Sequence, residues 1–162
     1  MRPRAFSEIH GQTYRPVSLT ALHSLLVSPP FSMKRAISSD RAPKAVGPYS
    51  QGVAFGDLLF CAGQIPLDPE TGEVAGEDVT PQTEQVIENI KAVLAVNAMT
   101  LDDVVKTTVF LTTMSDFAPM NEVYARHFTE PFPARSTVAV LALPRGVKVE
   151  IEVTAARSRA TA

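Results

Sequence analysis

The sequence predicts an α+β fold in which a mixed β-sheet carries two helices on one face. Two segments, 81–97 and 116–128, place apolar residues at helical spacing. Short runs rich in β-branched and aromatic residues, which are typical of strands, lie before, between and after them. This order is packed most economically as one sheet with both helices on the same side. The predicted strands are 36–38, 52–55, 58–65, 104–112, 135–141 and 147–155.

Each predicted helix has a recognisable start and one apolar face. The first opens with Pro81 behind Thr80 as its N-cap residue, and the second is capped by Asp116. The apolar stripe of the first helix consists of Val86, Ile90, Val93 and Leu94. The residues expected to face inward from the second helix are Phe117, Met120, Val123, Tyr124 and Phe128.

Two helices leave part of the sheet uncovered. Four valines on the predicted strands cannot all be buried beneath two helices, namely Val105, Val109, Val138 and Val140. Exposed apolar surface of this kind favours association with other subunits. We therefore expect an oligomer.

The first 32 residues differ from the rest of the chain. They contain Arg2, Arg4 and Arg15 against a single acidic residue, and prolines interrupt any long periodic pattern. We expect residues 1–32 to be a disordered or non-native leader, and residues 33–162 to form the domain. The alternative is a mitochondrial transit peptide. The first interpretation implies a cytoplasmic protein, and the second implies one of the mitochondrial matrix.

The composition argues against several classes of function. Residues 33–162 carry 12 basic and 16 acidic side chains, without the basic cluster that nucleic-acid binding requires. No apolar run reaches the roughly 18 residues of a membrane-spanning helix. The only cysteine is Cys61, and no His/Cys cluster, HExxH motif or glycine-rich phosphate loop is present. We therefore predict no metal, no cofactor, no nucleic acid and no membrane among its partners.

Polar residues on the last predicted strand are candidates for chemistry. Apolar and polar residues alternate strictly over 147–153, so Lys148, Glu150 and Glu152 share one face, which could simply be solvated. Arg135 begins what we expect to be the neighbouring strand, in apolar surroundings that would partly desolvate it. It could pair with Glu150, or it could bind the carboxylate of a ligand through two parallel hydrogen bonds.

Five short motifs occur in order along the chain. They are Gly47-Pro48-Tyr49-Ser50-Gln51, Ala62-Gly63-Gln64-Ile65-Pro66, Val105-Lys106-Thr107-Thr108-Val109-Phe110, Phe132-Pro133-Ala134-Arg135-Ser136 and Val149-Glu150-Ile151-Glu152. Together they resemble the RidA (YjgF) family over about residues 33–157. The resemblance implies a chorismate-mutase-like α+β fold and a homotrimer whose sites lie in the clefts between subunits.

The resemblance also implies an activity and the residues that carry it. Family members hydrolyse 2-aminoacrylate and related enamine or imine intermediates, such as 2-iminobutanoate, to 2-keto acids and ammonia. Arg135 matches the family's carboxylate-binding arginine, and Glu150 matches its water-positioning glutamate. The expected substrate-binding positions are Tyr49, Gly63, Asn121 and Thr137.

Two positions depart from the family's usual pattern. Ala62 stands where serine is frequent, and Thr137 stands where cysteine is frequent. Both lie beside the expected site. We therefore expect them to affect substrate preference more than activity.

Two functions remain open from the sequence. The first is that of a 2-iminobutanoate/2-iminopropanoate deaminase, which is favoured because Arg135 is present. The alternative is a non-catalytic module of the same fold that binds small carboxylates. A nucleic-acid-directed activity is disfavoured by the acidic composition and by the lack of a histidine pair in residues 33–162.

Overall fold

The structure is a computed structural model, and it describes residues 34–157. The leader predicted at residues 1–32 lies outside the described residues. The described chain contains a six-stranded sheet and two α-helices. The strands are β1 (Arg35–Ile37), β2 (Gly52–Phe55), β3 (Leu58–Gln64), β4 (Val104–Leu111), β5 (Ala134–Ala139) and β6 (Val149–Ala156), and the helices are α1 (Val79–Val96) and α2 (Phe117–His127).

The sheet is mixed, with the strand order β1-β2-β3-β6-β4-β5. All neighbouring strands are antiparallel except β4 and β5, which are parallel because α2 connects them as a crossover. Helices α1 and α2 pack on each other, and α1 also packs on β3 and β6. The predicted α+β fold with two helices over a mixed sheet is therefore confirmed.

The core lies between the helices and one face of the sheet. The inward residues of β6 are Val149, Ile151 and Val153, and each is at most 2% exposed. They pack with the apolar stripe of α1 and with Met120, Val123, Tyr124 and Phe128 of the second helix. The strict alternation predicted for the last strand is confirmed, so Glu150 and Glu152 project from the opposite face.

The predicted start of the first helix is wrong by two residues. The helix begins at Val79, Asp78 occupies the N-cap position, and Thr80 lies inside the first turn. The Thr83 hydroxyl donates to the Val79 carbonyl at 2.7 Å, and so the turn is stabilised from within. Asp116 does occupy the N-cap position of α2, although its side chain makes no capping bond.

The sheet face away from the helices carries exposed apolar side chains. Val105 and Val138 are 49% and 44% exposed, and Phe60 on β3 is exposed to a similar extent. Val109 was grouped with them, but it is fully buried because it alternates with Phe110 and so faces the helices. Within residues 34–157, no helix combines the length and the apolar character needed to cross a membrane.

Candidate functional site

A cavity of about 670 Å³ opens on the face of the sheet that the helices leave uncovered. Its wall includes three of the predicted site residues, Tyr49, Gly63 and Glu150. Glu150 projects into it from β6, where it pairs in register with Phe110 of β4. The cavity therefore brings together the predicted water-positioning carboxylate and two of the predicted substrate contacts.

A β-bulge in β3 makes room for the Glu150 side chain. Cys61 pairs with Val153 and Gln64 with Ile151, so β3 has two residues where β6 has only Glu152. One of those two residues is Gly63. A β-carbon on Gly63 would lie 2.8 Å from the carboxyl carbon of Glu150, which leaves no space for any side chain larger than hydrogen.

The environment of Glu150 favours its neutral form. Partial burial raises the pKa of the Glu150 carboxyl, and the negative charge of Glu152 on the same strand face raises it further. A carboxylate with a raised pKa is a better proton acceptor than an exposed glutamate when it is ionised. This is the electrostatic character expected of a group that activates water.

Buried amide side chains fix the walls of the Glu150 cavity. The Gln51 amide donates to the Pro43 carbonyl at 2.7 Å and to the Ser39 carbonyl at 3.1 Å. From α1, the Asn89 amide donates to the carbonyl groups of Ile65 and Leu67 at 3.1 and 2.9 Å. Because Gln51 and Asn89 are buried, these bonds hold the loop backbone in place.

Tyr49 closes one side of the same cavity. Tyr49 is 54% exposed, and its hydroxyl accepts a hydrogen bond from the Val46 amide at 3.3 Å. Gly47, in the turn just before Tyr49, has a φ of 121°. Tyr49 therefore lies on a turn at the cavity wall and is exposed enough to contact a ligand.

Arg135 lies at a second cavity, of about 310 Å³, between β5 and α2. Asn121 also lines this cavity. The guanidinium carbon lies 4.5 Å from the ring centre of Tyr124 and 5.7 Å from that of Phe117. Arg135 is exposed, rather than partly desolvated as predicted. Within residues 34–157 no strand lies beyond its edge strand β5, and the aromatic rings contact the guanidinium from one side only.

Tyr124 is held firmly beneath Arg135. Its hydroxyl is 2.9 Å from the Thr107 hydroxyl, and its ring stacks on Phe128 with the ring centres 4.2 Å apart. Burial raises the pKa of Tyr124, so the phenol stays neutral beneath the guanidinium. Arg135 thus rests on a rigid aromatic support, while no acidic side chain in residues 34–157 pairs with it.

Thr137 lies two residues after Arg135 on the same face of β5. It pairs in register with Val109, as Arg135 pairs with Thr107. The Thr137 hydroxyl oxygen is buried and has no hydrogen-bond partner within residues 34–157. A buried hydroxyl of this kind is a candidate contact for a ligand that enters beside Arg135.

Arg135 and Glu150 do not form a pair within one chain, so the first of the two alternatives left open for Arg135 is wrong. Strand β4 lies between β5 and β6, which places the two strands about 10 Å apart. Moreover, Arg135 is in register with Thr107, which faces the helices, whereas Glu150 is in register with Phe110. Because Thr107 and Phe110 are an odd number of residues apart, Arg135 and Glu150 project from opposite faces of the sheet.

Several residues that line the two cavities were not predicted as site residues from the sequence. Tyr124 was predicted as a core residue only, because its helical spacing does not reveal that Arg135 stacks on it. Lys44 and Arg145 line the Glu150 cavity, but both come from loops without periodic pattern. Arg145 has a φ of 60°, a left-handed conformation that residue type alone does not signal.

The described residues do not form a recognisable metal-binding site. In residues 34–157, no three His, Cys, Asp or Glu side chains are grouped so that they could hold one. His127 bonds to Glu84 at 2.5 Å through Nε2, and Lys91 lies 3.2 Å from its Nδ1. Burial raises the pKa of the Cys61 thiol to about 12, so it is protonated at neutral pH.

These features define a class of small α+β proteins with a carboxylate-lined cleft and an arginine-lined cleft on opposite faces of one sheet. Residues 39–157 match the family described as Endoribonuclease L-PSP. The chain belongs to this family, which is the RidA (YjgF) family. The predicted resemblance is thereby confirmed.

Individual relatives match over nearly their whole length. A RutC family protein of Pyrococcus horikoshii is 54% identical over 123 residues, which are 76% of this chain and 98% of the relative. The 2-iminobutanoate/2-iminopropanoate deaminase of Salmonella typhimurium is 48% identical over 128 residues, 77% of this chain and 99% of the enzyme. The crystal structure of Escherichia coli TdcF with bound serine is 46% identical, with a TM-score of 0.73, and the match covers 76% of this chain and 99% of TdcF.

Proposed function

We propose that this protein hydrolyses small 2-imino acids and their enamine tautomers, such as 2-iminobutanoate and 2-aminoacrylate, to 2-keto acids and ammonia. The observation that carries the proposal is the state of Arg135. Its guanidinium rests on Tyr124 and lacks an acidic partner in residues 34–157, so its charge is available to a ligand carboxylate. The 48% identity to a 2-iminobutanoate/2-iminopropanoate deaminase supports the same assignment.

The chemistry requires one carboxylate and one positioned water. The imine reacts in its protonated form: Glu150 accepts a proton from water as the water oxygen bonds to the imine carbon, which gives a neutral carbinolamine. Glu150 then returns this proton to the nitrogen. As the carbon–nitrogen bond breaks and ammonia leaves, the hydroxyl proton passes to Glu150 and the carbonyl forms. General acid–base catalysis of this kind contributes about 10²–10⁴-fold, and the fixed substrate carboxylate contributes through orientation.

We propose further that each site is completed by two copies of the chain in a homotrimer. Arg135, Asn121 and Thr137 of one copy would face Tyr49, Gly63 and Glu150 of the next. Because the two sets occupy different faces of the sheet, the interface joins unlike surfaces. Such an interface generates a closed ring when the rotation allows it. The exposed Phe60, Val105 and Val138 supply apolar surface for that contact.

The direct test is a competition assay. An amino-acid oxidase generates 2-iminobutanoate from 2-aminobutyrate while semicarbazide traps the free imine. We expect the protein to suppress semicarbazone formation, and Arg135→Ala and Glu150→Gln to abolish the suppression. Binding of small carboxylates without any effect on trapping would instead identify the non-catalytic module.

A further inference from the structure

The Glu150 cavity carries two cations that the hydrolysis of a small imino acid does not use. Lys44 and Arg145 both line it, and among the described residues Glu150 is the only acidic one that does so. Within residues 34–157, neither cation forms a salt bridge. With Glu150 ionised, these three side chains leave a net positive charge. A site of this kind favours a ligand that brings more negative charge than one carboxylate.

The backbone fixes both cations at the cavity wall. The Pro43 carbonyl, next to Lys44, accepts the 2.7 Å hydrogen bond from buried Gln51. Arg145 lies in the short 3-10 turn Pro144–Gly146, which is tied to the chain before it by the Gly146 amide bond to the Leu143 carbonyl at 3.1 Å. Hydrogen bonds therefore hold the backbone from which both side chains extend.

Arg145 also has an unusual backbone conformation. Its φ of 60° lies in the left-handed region, which a side chain with a β-carbon rarely adopts. Ala98 has a similar φ of 51°, but it follows the end of α1, where the left-handed conformation terminates the helix. For Arg145 the turn supplies the explanation: Pro144 and Arg145 are the two central residues of a hydrogen-bonded turn from Leu143 to Gly146, and the positive φ at its third position is that of a type II turn. The turn therefore holds the Arg145 backbone at the cavity wall.

The size of the cavity points in the same direction. In a single chain the cavity has a volume of about 670 Å³, within the range of small-molecule sites. The neighbouring copy of the proposed trimer would take up part of this volume. A substrate that ends in a second acidic group would use the part of the wall formed by Lys44 and Arg145.

We propose that Lys44 and Arg145 bind a second carboxylate, so that the site prefers 2-imino dicarboxylic acids of four or five carbons. This inference rests on the proposed function, because Arg135 is assigned to the first carboxylate. Arg145 presents a planar fork that suits a carboxylate, and Lys44 adds a point charge. The two residues are then specificity determinants, and Glu150 acts on the same C=N carbon as before.

The test compares two imines in the semicarbazide competition assay. L-Glutamate oxidase supplies 2-iminoglutarate, and an amino-acid oxidase supplies 2-iminobutanoate. The variants are Lys44→Gln and Arg145→Asn, since asparagine tolerates a left-handed backbone. We expect each variant to lower the ratio of kcat/KM for the dicarboxylic imine to that for the monocarboxylic imine by about tenfold, the size of one lost charged hydrogen bond.

A matched control removes the effect of net charge. Arg41→Gln also deletes one exposed cation, but Arg41 does not line the cavity, so we expect its ratio to equal that of the wild type. Equal ratios in all four proteins would overturn the assignment of Lys44 and Arg145. Wild-type activity on 2-iminobutanoate but not on 2-iminoglutarate would overturn it too, and would leave the deaminase function intact. Inactivity on both imines would overturn both proposals.

Discussion

The α-carbon of Gly63 lies directly against the side chain of Glu150. A β-carbon added at Gly63 would approach Cδ of Glu150 to 2.8 Å and Cγ to 3.0 Å, and it would overlap one carboxylate oxygen. The glycine is therefore required by the position of the carboxylate. The bulge in β3 and the side chain on β6 together form one structural unit.

We predict that Gly63→Ala impairs catalysis by displacing Glu150. The added methyl group forces the carboxylate away from the imine carbon, and misplacement by about 1 Å can cost a factor of the order of 10² in rate. The expected result is a fall of that order in kcat, with a smaller change in KM because Arg135 still holds the substrate. Steady-state kinetics with 2-iminobutanoate measures both constants.

A double-mutant cycle separates this effect from general damage to the fold. If Gly63→Ala acts through Glu150, then adding it to Glu150→Gln should cost little further activity. A double variant whose losses simply add would show that Gly63→Ala acts elsewhere. The thermal midpoint of each variant identifies any that is unfolded at the assay temperature.

Arg135 allows a second prediction, which distinguishes charge from shape. Arg135→Lys keeps the positive charge but loses the two parallel donors and the stacking on Tyr124. We expect kcat/KM to fall about tenfold or more for Arg135→Lys and about 10²-fold or more for Arg135→Ala, mainly through KM. Full activity in Arg135→Lys would mean that charge alone suffices.

Arg126→Lys is the matched control for that series. Arg126 is also exposed and near the end of α2, but it pairs with Glu84 and lines neither cavity. Exposed ion pairs contribute roughly 0–1 kcal/mol to stability. We therefore expect wild-type kinetics and a nearly unchanged thermal midpoint.

Local patterns were enough to predict most of the fold. The alternation over 147–153 correctly separated the buried face of β6 from the face that carries Glu150 and Glu152. The helical spacing of Met120, Val123 and Tyr124 correctly gave the inward face of α2. These patterns succeed because one buried face fixes the period of the side chains.

The relation between the two halves of the site was not predictable in the same way. Adjacent strands in the sequence were assumed to be neighbours in the sheet, but β4 lies between β5 and β6. The parallel β4–β5 pair arises from the crossover through α2, and single-strand periodicity carries no information about it. The left-handed Arg145 and the support beneath Arg135 likewise depend on contacts between distant segments.

The pKa of Glu150 gives a third prediction, on the pH dependence of kcat/KM. The proposed mechanism needs ionised Glu150, so we expect activity to fall as the pH drops through the pKa of Glu150, which burial and Glu152 raise above the ordinary value. Glu152→Gln removes a negative neighbour, stabilises the ionised carboxylate and lowers that pKa. The acid limb of the profile should therefore move to lower pH.

The control for the pH profile is Glu70→Gln. It removes one exposed carboxylate from the loop between β3 and α1, away from Glu150, so we expect the acid limb to keep its wild-type position. A limb that moves equally in both variants would report net charge. A limb that moves in neither would mean that the titrating group is not Glu150.

The fourth prediction concerns complementation between two inactive chains. Arg135 and Glu150 lie on opposite faces of the sheet, and the proposed site takes Arg135 from one copy and Glu150 from another. Arg135→Ala and Glu150→Gln chains, each inactive alone, should recover activity when they are co-expressed and assembled together. A trimer purified through both tags contains two chains of one kind and one of the other, so one of its three sites receives both intact residues. The semicarbazide assay on differently tagged, doubly purified assemblies should then approach about a third of the wild-type rate. As a control, Arg135→Ala co-assembled with Arg135→Lys should show no gain beyond the average of the parents. If the mixed assemblies stay as inactive as their parents, both residues act within a single chain, and the two cavities would have to rearrange to meet.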